Sequence, residues 1–223
     1  SPVVFFSFKD TDGLTFESAY GMLCMKLAFA FQDYQFLLDD DAISDDDKGI
    51  FKRILGRTAS MDETKSCFLL LTRMLEIHFK KSAVVILDEY DVPIAKASSN
   101  GYYSQMLDVM RAIMSTTLKD NTSLDFAVVT GCLKIAKESI FTGTNNFVSD
   151  TILSPRLSES FGFTQADVNQ MLNDAGLESQ SAEIKAWYDG YHFGDADIYC
   201  PWDVISYLRD FQYGVAQKRS EEH

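Results

Sequence analysis

The sequence is poor in the residues that build metal sites and cross-links. Its four cysteines, Cys24, Cys67, Cys132 and Cys200, lie far apart with no C-x-x-C pair, and its three histidines, His78, His192 and His223, are equally scattered. A structural zinc site needs ligands clustered at short spacing, so free thiols in a reducing cytoplasm are expected instead. Positive charge is scarce too. The 20 Lys and Arg face 33 Asp and Glu, for a formal net charge of −13. Long-range electrostatics therefore oppose binding to nucleic-acid backbones and to anionic membranes. No apolar stretch approaches the roughly 20 residues that cross a bilayer, and the run Phe68 to Leu71 is broken at once by Thr72 and Arg73. The opening residues Ser1-Pro2-Val3-Val4-Phe5-Phe6 have neither the basic flank nor the small-residue cleavage site of a signal peptide. They also lack an initiating Met and run straight into a strand-like segment, which predicts that the chain opens partway into a longer protein. A phosphate-binding loop of the form G-x-x-x-x-G-K-[ST] occurs nowhere in these residues.

What is present is the material of a core. Hydrophobic residues make up 46% and charged residues 24%, the balance of a soluble globular protein, and 223 residues suffice for one substantial domain or for a core domain with a small one appended. Much of the acid sits in Asp39-Asp40-Asp41 and Asp45-Asp46-Asp47. These lack the spacing and the closing Glu of a calcium loop and are read as a solvated loop. Val3 to Phe8 reads as a buried strand closed by the turn residues Asp10-Thr11-Asp12-Gly13. Phe16, Tyr20, Leu23, Leu27, Phe31 and Tyr34 recur at three- and four-residue intervals and predict a broad-faced helix between Leu14 and Leu38. Ser60 and Glu63 form a capping-box pattern ahead of a second helical stretch with Phe68, Leu71, Leu75 and Phe79.

Ala83-Val84-Val85-Ile86-Leu87 is a continuous apolar run, the pattern of a central parallel strand with both faces covered by helices. A helix follows with Tyr103, Leu107, Met110 and Met114 on one face, then a second central-strand run, Phe126 to Val129, ending at Thr130-Gly131. Strands alternating with helices predict an α/β sheet with right-handed crossovers. The character changes near Pro155. Thr164 and Asp167 give a helix start and Gly176 its stop, a second helix spans about Ser181 to Asp189, and Pro201 opens a third with Trp202, Ile205, Leu208 and Phe211. The reading is a core over residues 1–155 and a small helical lid over residues 156–223.

Val84-Val85-Ile86-Leu87-Asp88-Glu89 carries the chemistry. A buried strand in an open α/β sheet points its C-terminal end into the crevice where ligands bind. Asp88 there is placed to hold Mg²⁺ through its water shell, and Glu89 to act as general base on an attacking water. Four apolar residues followed by Asp-Glu also arise where any buried strand ends in acidic turn residues, so the pattern needs its context.

That context is a set of longer matches. The stretch Leu87-Asp88-Glu89-Tyr90-Asp91-Val92-Pro93-Ile94, the run from Thr130 to Phe147 (TGCLKIAKESIFTGTNNF), Phe161-Gly162-Phe163-Thr164 and Trp187-Tyr188-Asp189-Gly190-Tyr191 follow one another in order. Together they resemble the predicted AAA-ATPase-like family of bacterial P-loop ATPases, often followed by a nuclease-like domain of the PD-(D/E)XK kind. The resemblance implies a P-loop NTPase-type parallel sheet, truncated at the N-terminus so that the first strand and its phosphate loop are absent, with a small helical C-terminal lid. It implies ATP and Mg²⁺ as ligands, both needing the upstream loop, and makes Phe126 to Val129 a sensor strand lying between the two Walker strands. Thr130 would then reach the γ-phosphate or the attacking water, or simply close the strand end. By the same resemblance Lys134 stands where many members of that family carry Arg, and Lys, a point charge, does not give a bidentate phosphate contact. Lys137 and Arg156 are further candidates for phosphate charge, or ordinary surface cations. Asp91 either caps or turns the chain after the strand or stands behind the metal site. Asn145 and Asn146 suit a turn or a nucleotide-touching loop.

Three functions follow as expectations. The first is a cytoplasmic ATPase module that switches a protein partner or a downstream effector domain, with assembly into homo-oligomers open. The second is a non-catalytic interaction scaffold that keeps the fold alone. The third is a metal-dependent nuclease using Asp88, Glu89 and Asp91, with Glu183-Ile184-Lys185 as an E-x-K triplet; that triplet falls in a helical pattern, whereas nuclease acids of this kind stand on strand ends.

Overall fold

Three strands, β1 (Val3–Ser7), β2 (Ala83–Asp88) and β3 (Leu124–Val129), run parallel in the order β1-β2-β3. Val4 pairs with Val85 and Val85 with Ala127; Phe6 pairs with Leu87 and Leu87 with Val129. The chain is described here from its computed structural model at residues 1–132, 148–188 and 191–212. It divides into two compact units, Ser1–Asn146 and Phe147–His223.

In the first unit the strands are linked by α1 (Phe16–Gln32), α2 (Asp45–Leu55), α3 (Met61–Lys65), α4 (Cys67–Phe79), α5 (Val92–Asn100) and α6 (Tyr103–Leu118). One face of the sheet is dry. Val4, Phe6, Val85 and Leu87 are buried there, and Phe6 meets Phe8 and Phe68 edge-on at ring-centroid distances of 4.9 and 5.2 Å. α4 lies against β2 and α6 against β3. Each buried aliphatic or aromatic side chain contributes about 1.5–3 kcal/mol.

The opposite face departs from expectation. Val3, Phe5, Phe126 and Val128 are exposed at 51%, 56%, 60% and 38%, so β1 and β3 are not buried strands and β2 is not covered on both sides among the described residues. Three helices also differ from the sequence reading. Asp45, Asp46 and Asp47 are not a loop but the first turn of α2, where the Ser44 hydroxyl accepts the Asp47 N–H at 3.2 Å and the helix dipole favours acid. The Ser60–Glu63 capping box is present, with Glu63 accepting the Ser60 N–H at 2.9 Å, but the helix it opens stops at Ser66 before α4 begins. α6 buries Met106, Met110, Ile113 and Thr117, while Tyr103 turns outward at 38% exposure.

The second unit is not purely helical. β4 (Phe163–Thr164), β5 (Tyr191–Phe193) and β6 (Ala196–Tyr199) form an antiparallel sheet in the order β4-β6-β5. Around it stand α7 (Gln165–Asp174), α8 (Ser181–Tyr188) and α9 (Pro201–Gln212). Val168, Leu172, Ile184, Tyr199 and Val204 make its core. α9 uses Val204 and Leu208 for this packing, leaving Trp202 and Ile205 exposed. No helix among the described residues is long and apolar enough to cross a membrane.

Candidate functional site

The candidate site is built where β2 and β3 end side by side. Asp88, the last residue of β2, is held at both of its chemical ends. Its carbonyl accepts the Phe8 N–H at 2.9 Å, fastening it to β1. Its carboxylate Oδ1 accepts a hydrogen bond from the hydroxyl of Thr130, the residue just past β3. The register that sets Leu87 opposite Val129 brings these two side chains together. An acid and an alcohol at one strand end are hard oxygen donors, the set a Mg²⁺ ion with its water shell accepts. No group of three or more metal-ligating His, Cys, Asp or Glu side chains occurs among the described residues.

Glu89 takes the chain out of the strand. Its φ of +54° lies in the left-handed region, which costs a non-glycine residue about 1–2 kcal/mol. The turn it makes is tied on both sides: Val92 N–H donates to the Glu89 carbonyl at 3.1 Å, and Tyr90 N–H to the Thr130 carbonyl at 3.1 Å. Strain of this kind, held in place by surrounding bonds, gathers at functional sites. The side chain of Glu89 is half-buried beside Asp88 in sequence.

Asp91 is the residue the sequence left undecided. It is 3% exposed and stands at the N-cap of α5, yet its side chain makes no cap to its own helix. A capping Asp is worth about 1 kcal/mol. Instead Oδ1 accepts the backbone N–H of Cys132 at 3.3 Å. Between Thr130 and Cys132, Gly131 packs so closely on the turn that an added Cβ would stand 2.5 Å from Asp91 Oδ1 and 2.7 Å from Tyr90 Cε1. The sequence signals for this were a Gly directly after a strand and a Pro, Pro93, in the first turn of a helix.

The structure brings Asp88 and Thr130 together with Glu89 adjacent. The other candidates belong to the second unit or lie outside the described residues. Arg156, in the second unit, is bound to Asp150, whose partnership raises the guanidinium's pKa above its ordinary value. Lys134, Lys137, Asn145 and Asn146 lie outside the described residues, as do Asp189 and Gly190. Glu183 and Lys185 of the E-x-K triplet flank buried Ile184 on helix α8, not on a strand end. A hollow of about 250 Å³ opens beside α1, lined by Met25, Phe29 and Arg57 among others, and includes none of the site acids.

A three-stranded parallel α/β unit whose middle strand ends in Asp-Glu against a neighbouring Thr defines the class. Within that class the chain belongs to the predicted AAA-ATPase family, whose model, AAA-ATPase-like, matches residues 1–141. It is also 29% identical over 157 residues to a protein of Azotobacter chroococcum mcd 1 described as "Uncharacterized protein in vnfD 5'region". That match covers 70% of this chain and 30% of the relative, so the chain spans less than a third of that protein's length. No solved structure matches.

Proposed function

We propose that the chain is part of an ATP-binding and ATP-hydrolysing module of P-loop NTPase type, with Asp88 and Glu89 as its working acids. The observation that carries the reading is the Thr130–Asp88 hydrogen bond across the ends of two adjacent parallel strands, beside the left-handed Glu89. Asp88 would hold Mg²⁺ through water. The ion's contribution, when bound, is to neutralise charge on the β- and γ-phosphates. Glu89 takes the proton of the attacking water. Thr130 orients that water or the γ-phosphate, and Lys134, Lys137 and Arg156 are the cations available to developing negative charge. Arg156 has to exchange Asp150 for phosphate to do so.

The sheet supports the same reading. β3 has no strand on its outer side among the described residues, and the face carrying Val3, Phe5, Phe126 and Val128 is uncovered. A phosphate-loop strand added beside β3, with its helix on that face, leaves β3 between the two nucleotide-binding strands. Without amides and a lysine to cradle phosphate, the chain by itself binds ATP weakly. In the whole protein we assign the nucleotide cycle to switching a protein partner or a further domain.

The test is Mg²⁺-dependent ATP hydrolysis by the full-length protein beside its Glu89→Gln variant. Binding kept with turnover lost supports the assignment. Unchanged turnover removes Glu89 from the mechanism, and a wild type that binds no nucleotide leaves the fold as an interaction scaffold.

A further inference from the structure

The ladder between β2 and β3 does not stop where the strands stop. Thr130 N–H donates to the Leu87 carbonyl at 2.9 Å, and Tyr90 N–H to the Thr130 carbonyl at 3.1 Å. The next amide along, Cys132 N–H, finds no backbone acceptor in this series but the carboxylate of Asp91. That carboxylate has left the helix terminus where an N-cap Asp ordinarily spends its oxygens. It is buried, and the absence of a side chain at Gly131 is what lets the post-strand turn approach it.

We propose that Asp91 is a positioning residue: by extending the ladder one rung past the strand ends, its carboxylate fixes the turn 130–132 and so keeps the Thr130 hydroxyl on Asp88. Asp91 touches neither nucleotide nor metal in this role. It acts through the Cys132 amide, and what it needs is an oxygen at the right place rather than a negative charge. The inference rests on the ATPase reading only for its catalytic consequence; the latch itself is a property of the two turns. Gly131 is the second half of the device, because any side chain there pushes the turn off Asp91 and Tyr90.

The experiment uses the full-length protein with Asp91→Leu, Asp91→Asn and Gly131→Ala, and reads two quantities. The first is amide hydrogen exchange at residues 130–132, with the β1 amides as internal reference. Asp91→Leu and Gly131→Ala should each speed exchange there by about tenfold while leaving β1 unchanged, and Asp91→Asn, which keeps an oxygen acceptor, should restore slow exchange. The second is steady-state ATP hydrolysis: Asp91→Leu should lower kcat roughly 10- to 100-fold with KM within about twofold, and Asp91→Asn should recover most of it. Unchanged exchange at Cys132 in Asp91→Leu overturns the latch. Restored exchange without restored kcat in Asp91→Asn overturns the positioning role and makes the charge itself the requirement. A wild type without ATP turnover defeats the ATPase reading alone, since the exchange arm still decides the latch.

Discussion

Arg73 on α4 reaches across to Asp47 in the first turn of α2, and the pair it forms fastens two helices that the sequence places in separate segments. Asp47 is nearly enclosed while the Arg73 side chain remains 51% exposed. Truncating the arginine therefore leaves a nearly enclosed acid facing only the positive end of its own helix dipole. Arg73→Ala should destabilise the protein by about 1–2 kcal/mol, and Asp47→Asn by less. A denaturant-unfolding double-mutant cycle measures the coupling; a coupling of zero means the pair is incidental to stability.

Alternate residues of β1 give a sharper contrast. Phe6 is buried between Phe8 and Phe68, whereas its neighbour Phe5 faces outward on the uncovered side. Phe6→Ala should cost about 3–5 kcal/mol, and Phe5→Ser in the isolated chain no more than about 0.5 kcal/mol. In the full-length protein the second substitution should become costly, because the added strand and helix proposed above would cover Phe5. Equal tolerance of Phe5→Ser in both settings would count against that cover.

Glu89 holds a backbone conformation that glycine adopts without penalty. Glu89→Gly should leave the melting temperature unchanged or higher while abolishing ATP turnover in the full-length protein, a trade of stability against activity. A melting temperature lowered by several degrees would show that the side chain contributes packing that outweighs the strain.

The second unit should loosen in acid. Asp167 accepts the Thr164 hydroxyl and the Thr164 N–H in the capping box that opens α7, and these bonds hold its pKa below the ordinary value. Asp150 is held low in the same way by Arg156. Each contribution is complete above the unfolded pKa, about 4, and is lost as pH falls through the lower folded value. Thermal unfolding followed between pH 6 and pH 2.5 should show this loss, with a smaller slope for Asp167→Asn. An identical slope would assign the acid sensitivity elsewhere.

What could be read in advance follows from how local each interaction is. The Ser60–Glu63 and Thr164–Asp167 capping boxes are three-residue relationships, and both are present as expected. The acidic end of β2 was equally plain, since a strand's C-terminal residue needs only the run before it. The Asp91–Cys132 bond joins residues about forty positions apart and leaves no periodic trace. α5 was not anticipated, although Pro93 in its first turn is itself a helix-start signal. The Asp45–Asp47 run was taken for solvated loop when Ser44 before it already marked an N-cap. The strands β4, β5 and β6 are four residues or fewer, too short for a period of two to show.

The parallel register of β1 and β2 also sets a timetable. Val3 and Val84 are direct partners, so β1 leaves the ribosome about 80 residues before the strand that completes it. At roughly 5–20 residues per second it waits several seconds, its Val4 and Phe6 uncovered on one side and Phe5 on the other. Synonymous changes that slow translation between the two strands lengthen that exposure and should lower the soluble yield without altering a single contact of the finished fold.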